Sequence, residues 1–226
     1  LLDLKENSPT LLLPILDAVS SLRISSESLR SVTEQTLSAI EAAEPSALPA
    51  IIRFLLQRTQ PESATKIIKE LRLRLKLPDA TDSDNITAAT LTLEALVSGF
   101  LYRSDLTQEL SKILSESYDV SDHGAADIWL LLCCNHQHNK KSVVSVVRKK
   151  AVNGTLSRVL VEDAIKGYAK QIETLCPSAL SLADALLRAT EHASRVLGGA
   201  FYIELFNEFT DLTRRQDVIA QLTTHV

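Results

Sequence analysis

The sequence predicts an all-α protein, an α-solenoid of stacked antiparallel helices of the armadillo and HEAT kind, and three observations lead there. Aromatic residues make up 4% and glycines number 6 among 226 residues, while Leu, Ala, Ser and Glu recur with few β-branched runs; such a composition is poor in sheet formers. Helix-start signals return about every 20 residues, with apolar residues between them at spacings of three and four. Connections are short, which places consecutive helices side by side in pairs, with a period of about 40 residues; no tight sequence repeat accompanies the spacing, and a compact helical bundle is the runner-up architecture.

The elements follow in order. Ser8 and Pro9 form a start signal, and Pro14 is expected to end or kink the first turn of "TLLLPILDAVSSL". "SESLRSVTEQTLSAIEAAE" sets Leu29, Val32, Leu37 and Ile40 on one face. Pro45 opens the next helix, and Pro61 opens "ESATKIIKELRLRLKL", whose stripe is Ile67, Ile68, Leu71 and Leu75, with Lys66, Lys69, Arg72 and Lys76 solvated. Pro78 closes that helix, and the acidic stretch near 79–85 is expected to be a flexible loop. Helices resume with "ITAATLTLEALVSGFLYR" and with "DLTQELSKILSES", capped by Ser104. After a break at "YDVSDHG" comes "AADIWLLLCC", and Asn139 is placed to cap a helix that runs to Val152 and stops at a left-handed Asn153-Gly154. The remaining segments are "TLSRVLVEDAIKGYAKQIETL", "PSALSLADALLRATEHASRVL", "AFYIELFNEFTDL" and "RQDVIAQLTTHV". Residues 1–226 read as a single α-solenoid segment, and the absence of Met, even at the first position, is read as a piece of a larger chain.

With 45% hydrophobic and 23% charged residues and a mean hydropathy of +0.07, the chain has the composition of a folded protein without membrane spans. Its 3 cysteines suggest no disulfide framework, which favours a reducing compartment. The net charge of −4 gives no general attraction to nucleic acid. Its distribution is uneven: between Asp127 and Glu162 no acid occurs, yet Lys140, Lys141, Arg148, Lys149, Lys150 and Arg158 lie there. This is a basic island on an otherwise acidic protein.

Two chemistries fit this island poorly. On a continued helix Cys133 would chelate with His136 and Cys134 with His138, but His123 and Cys176 lack ligand-spaced neighbours, so no metal site is expected. The bland reading makes both cysteines core residues that prolong the apolar "IWLLL" run. A catalytic cysteine would need a base and an oxyanion hole, and the glycines form neither a dinucleotide fingerprint nor a P-loop. Glu41 with Glu44 and Asp82 with Asp84 read as solvated faces, so no enzyme and no cofactor are expected. Nucleic-acid contact through the island lacks interleaved aromatic residues for stacking, and Arg148, Lys149 and Lys150 also suit the negative end of their own helix.

At 100° per residue Val143, Val144, Val146, Val147 and Ala151 share one face. Lys149 points nearly opposite, freely solvated, whereas Lys150 falls on the flank of the stripe. The Lys150 stem is expected along the core, with its amine snorkelled outwards and its pKa open to lowering. A helix-end lysine beside a glycine turn is a reasonable acceptor for covalent modification.

Three blocks resemble the Fanconi anaemia group D2 family of helical-repeat proteins: "LPAIIRFLLQ" through "IIKELRLRLKL", "NKKSVVSVVRKKAVNG", and "LSLADALLRATEHASRVLGGAFYIELFNEFTDL" through "DVIAQLTTHV". They cover about half the chain in the family's order. In the family pattern an Arg, one residue, the acceptor Lys and two residues precede a Ser-Gly turn; here Arg148, Lys150 and Asn153-Gly154 occupy those places. The resemblance implies a nuclear scaffold for DNA interstrand-crosslink repair, monoubiquitinated on Lys150 through an isopeptide bond, with Lys149 as fallback. It implies as partners the Fanconi anaemia group I protein, ubiquitin, its conjugating enzyme and the Fanconi core ligase, with DNA bound by the full complex and weakly by this segment. Lys140, Lys141, Arg148, Lys149 and Arg158 would dock an acidic surface. The alternative is a helical-repeat interaction scaffold without a covalent switch, whose island binds a partner or nucleic acid.

Overall fold

The computed structural model describes residues 12–77, 82–116, 124–167, 175–209 and 211–225. Among the described residues there are twelve α-helices and no strand, so the fold is all-α as predicted. They are α1 (Leu12–Ser21), α2 (Ser26–Ala39), α3 (Leu48–Arg58), α4 (Ala64–Arg74), α5 (Ser83–Tyr102), α6 (Ser104–Glu116), α7 (Gly124–Cys134), α8 (Lys140–Val152), α9 (Arg158–Gly167), α10 (Cys176–Leu187), α11 (His192–Glu208) and α12 (Leu212–Thr223). The chain packs as two compact units, Leu1–Leu106 and Thr107–Val226, a division that no composition shift announces.

In the first unit α3 is the centre, touched by α1, α2 and α5, while α4 packs on α2. Contacts between helices two apart in sequence are those of stacked helices, consistent with the solenoid class. Ile51, Ile52, Leu55 and Leu56 of α3 are wholly buried, as are Leu93, Leu96 and Phe100 of α5. The predicted stripe of α4, Ile67, Ile68 and Leu71, is buried with Leu75 beyond its end. Pro14 sits exposed in the first turn of α1, where its missing N–H costs no intrahelical bond, so it does not end the helix. Ser8 and Pro9 lie outside the described residues.

The expected acidic loop is largely a helix start. Asp82 is the N-cap of α5, its carboxylate accepting from the Asn85 N–H at 2.8 Å, and Ser83 to Asn85 form the first turn. Residues 79–81 lie outside the described residues. Ser104 is not a cap but the first residue of α6, because Arg103 alone separates α5 from α6. The Arg103 guanidinium donates to the Leu56 and Thr59 carbonyls at 3.0 and 2.9 Å, satisfying acceptors left open at the end of α3. It also grips Asp105 in a bidentate pair at 2.9 and 2.7 Å, which holds that carboxyl below its ordinary range.

In the second unit α11 is the centre, packed on α8, α9, α10 and α12; α7 packs on α8, α9 and α10. From Ile128 to Cys134 α7 is buried all round, which explains why its sequence shows no polar face. The largest departure from expectation lies at Gly198-Gly199, which fall between two of the predicted segments but are found inside α11. The true break comes earlier, between Leu187 and His192. A Cβ on Gly198 would lie 2.9 Å from the Ala183 carbonyl oxygen and 2.9 Å from the Leu187 nitrogen, so this glycine serves close helix approach rather than chain reversal.

Candidate functional site

The candidate site is the C-terminal turn of α8. Its apolar side, Val143, Val146, Val147 and Ala151, is buried as the periodicity requires, and Val144 is half-buried. Asn139 stands at the N-cap position but makes no side-chain cap bond; its backbone is helical, and its N–H donates to the His136 carbonyl at 2.9 Å. At the other end Gly154 alone adopts the left-handed conformation, with φ 71°, while Asn153 stays right-handed. The chain then folds back on the carbonyl of Lys150, which accepts from the Thr155 and Leu156 N–H groups at 3.0 and 3.1 Å and from the Thr155 hydroxyl at 3.2 Å. Gly154→Ala is expected to destabilise the protein by about 1 to 2 kcal/mol, the cost of left-handed backbone for an L residue. A lowered denaturant midpoint would read it, and since no atom lies within 4 Å of the added Cβ, the loss is conformational.

Lys150 corrects the expectation of a snorkelled amine. The residue is 6% exposed, and its Nζ lies 4.0 Å from Oδ2 of Asp127, itself 5% exposed in the first turn of α7. At about 100° per residue Lys150 falls between Val143 and Val146, within the apolar stripe and not on its flank, and α7, α10 and α11 pack around α8. Lys149 is exposed as expected but not free: its Nζ donates to the Ser115 carbonyl at 3.1 Å, in the last turn of α6.

The basic island is smaller than its sequence. Arg148 binds Glu191 through Nε, 3.1 Å from Oε2, and through Nη2 to Oε1. That bidentate grip holds the Glu191 carboxyl below its ordinary range and answers the guanidinium's charge within the molecule. Arg148 is thus paired within the molecule, while Lys141, Lys149 and Arg158 are exposed and Lys140 is half-buried.

Helix α7 ends at Cys134, so the i,i+4 relation of Cys134 to His138 does not form. Instead Asn135 donates to the Ser178 carbonyl at 2.8 Å, while the Ser178 hydroxyl donates to the Leu132 carbonyl at 2.8 Å. Cys133 and Cys134 are buried, and burial pushes both thiols far up from their ordinary range, the opposite of an activated nucleophile. No three His, Cys, Asp or Glu residues converge as metal ligands among the described residues, and His123 lies outside them.

Asp127, Glu191 and Ser115 were not singled out in the sequence. Asp127 carried a readable signal: a lone acid heading the otherwise apolar "IWLLLCC" run needs a buried partner. Glu191, 43 residues from Arg148, carried none.

Fold and site together define a helical-repeat segment with a lysine–aspartate pair sealed at a helix end beside a reduced basic patch. The chain belongs to the FancD2 family: the family model described as "Fanconi anaemia protein FancD2 nuclease" matches residues 1–94 and 78–226. It is similar to the "Fanconi anemia group D2 protein" of Gallus gallus, 26% identical over 242 residues that cover 96% of this chain and 17% of that protein. The "Fanconi anemia group D2 protein homolog" of Rattus norvegicus is 23% identical over 250 residues, covering 99% of this chain and 17% of its own length. The Mus musculus homologue gives the same identity and coverage. The chain thus spans 17% of the length of these relatives, and the membership assigns it to the Fanconi anaemia pathway.

Proposed function

We propose that this chain is the ubiquitin-receiving segment of a nuclear scaffold for DNA interstrand-crosslink repair, with Lys150 as acceptor. The observation that carries the reading is the placement of Lys150 in the last turn of α8, two residues after Arg148 and separated by Ala151 and Val152 from the Asn153-Gly154 turn, as in the family pattern. The chain acts as substrate rather than catalyst. The neutral Lys150 amine attacks the thioester carbonyl that joins ubiquitin to its conjugating enzyme; the isopeptide bond forms, the enzyme's cysteine leaves as thiolate, and the amine's proton passes to solvent. The group I protein is the partner, the Fanconi core ligase supplies specificity, and the modified complex is held on DNA. Lys141, Lys149 and Arg158 remain as exposed cations for acidic surface.

The test is in-vitro ubiquitination with the Fanconi ligase and conjugating enzyme, with the group I partner added, on wild type, Lys150→Arg and Lys149→Arg. The expected result is a single adduct lost only in Lys150→Arg, which keeps the positive charge facing Asp127. Loss confined to Lys149→Arg would move the acceptor to the exposed neighbour. An adduct surviving both substitutions would leave the scaffold without a covalent switch, its island binding a partner or nucleic acid.

A further inference from the structure

We infer that Asp127 is a latch that withholds the Lys150 amine from acylation, so that the acceptor becomes reactive only when that ion pair is opened. This inference rests on Lys150 being the acceptor. Both members of the pair are buried, at 6% and 5% exposure, and the amine lies 4.0 Å from the carboxylate. An ammonium in that position is out of reach of a thioester, and leaving it means separating two desolvated charges.

The latch is local by construction. Asp127 is followed on α7 by the buried run Ile128 to Cys134, so the carboxylate is held by a helix with no wet face along that run. The Lys150 main chain is held by three hydrogen bonds to its carbonyl, so the side chain, not the helix end, is the part that moves. Lys149, adjacent in sequence, is exposed. Two lysines at one helix end therefore differ in access, and a modifying enzyme gains selectivity for Lys150 only by supplying what opens the pair. A docking surface that offers the ammonium a second anion, or displaces α7 from α8, meets that requirement.

The experiment pulses the whole chain with the acetyl ester of N-hydroxysuccinimide and reads acetylation at Lys149 and Lys150 by peptide mass spectrometry, in wild type and in Asp127→Asn. Wild type is expected to acetylate Lys150 at least about tenfold more slowly than Lys149, and Asp127→Asn to remove most of that gap. Iodoacetamide in the same samples reads Cys133 and Cys134, which share α7 with Asp127 and are expected to stay protected. Equal labelling of both lysines in wild type, no gain at Lys150 in Asp127→Asn, or a parallel rise of the two thiols that signals unfolding would each overturn the latch. A parallel ubiquitination of Asp127→Asn separates the two ideas: acetylation that rises at Lys150 while ubiquitin goes to another lysine upholds the latch and overturns the acceptor.

Discussion

Asp127→Leu and Lys150→Met are each expected to lower stability by about 3 kcal/mol, while the double substitution returns to within about 1 kcal/mol of wild type. Each single change leaves one charge at a site built for two. With Asp127 removed, the ammonium either stays in the interior without its counter-charge or swings out and opens the α7–α8 contact. With Lys150 removed, the carboxylate is left buried in the first turn of α7, where the helix dipole compensates only in part. The double variant replaces both charges with apolar groups of similar size, and a buried pair so replaced is commonly neutral or stabilising. A double-mutant cycle from denaturant midpoints measures the coupling. Additive losses would show that the two groups do not act as a pair, and the latch would lose its basis.

Gly198→Val is expected to destabilise by about 3 kcal/mol, and its neighbour Gly199→Ala to stabilise by about 0.5 to 1 kcal/mol. The contrast comes from surroundings alone, since both glycines lie inside α11. A Cβ at 198 meets main-chain atoms of α10 at 2.9 Å, with the Leu186 Cβ at 3.1 Å, and backbone cannot yield as a side-chain tip does. At 199 nothing lies within 4 Å, so alanine there adds only helix propensity. Because α11 packs on α8, α9, α10 and α12, forcing it off α10 should also loosen the helix that bears Lys150. Thermal melts of the two variants check the sign at each position. A Gly198→Val protein as stable as wild type would mean that the helices part without penalty.

The helical class was legible because spacing of apolar residues, scarce aromatics and proline starts all agree; α4 buries its predicted stripe, and α2 and α8 do so apart from half-buried Leu29 and Val144. What escaped depends on neighbours that periodicity does not contain. The flank position expected for Lys150 is wrong by periodicity itself: at about 100° per residue it falls between Val143 and Val146, inside the stripe, so its burial was legible, whereas its meeting with Asp127 was not. Gly198-Gly199 has the look of a chain break because glycine lowers helix propensity, and its role in close packing is visible only with α10 in place. Asp82 to Asn85 look like a loop since the residues that cap helices are also those that make loops. Arg148 counts as a free cation until Glu191 is brought to it.

The carbonyl of Lys150 has a consequence for whatever is attached to the side chain. Three hydrogen bonds fix the main chain at this residue, and its helix ends in a turn set by Gly154. A protein joined to Nζ would hang from a rigid mount by a single short arm, so its sweep would be set by the lysine's own rotatable bonds and not by slack in the host chain. Such a tether raises the effective concentration of the attached domain for any surface within the arm's reach and denies it those beyond. Site choice then decides which neighbouring surface the modification can clamp, a geometric selectivity that an acceptor on a loose loop would lack.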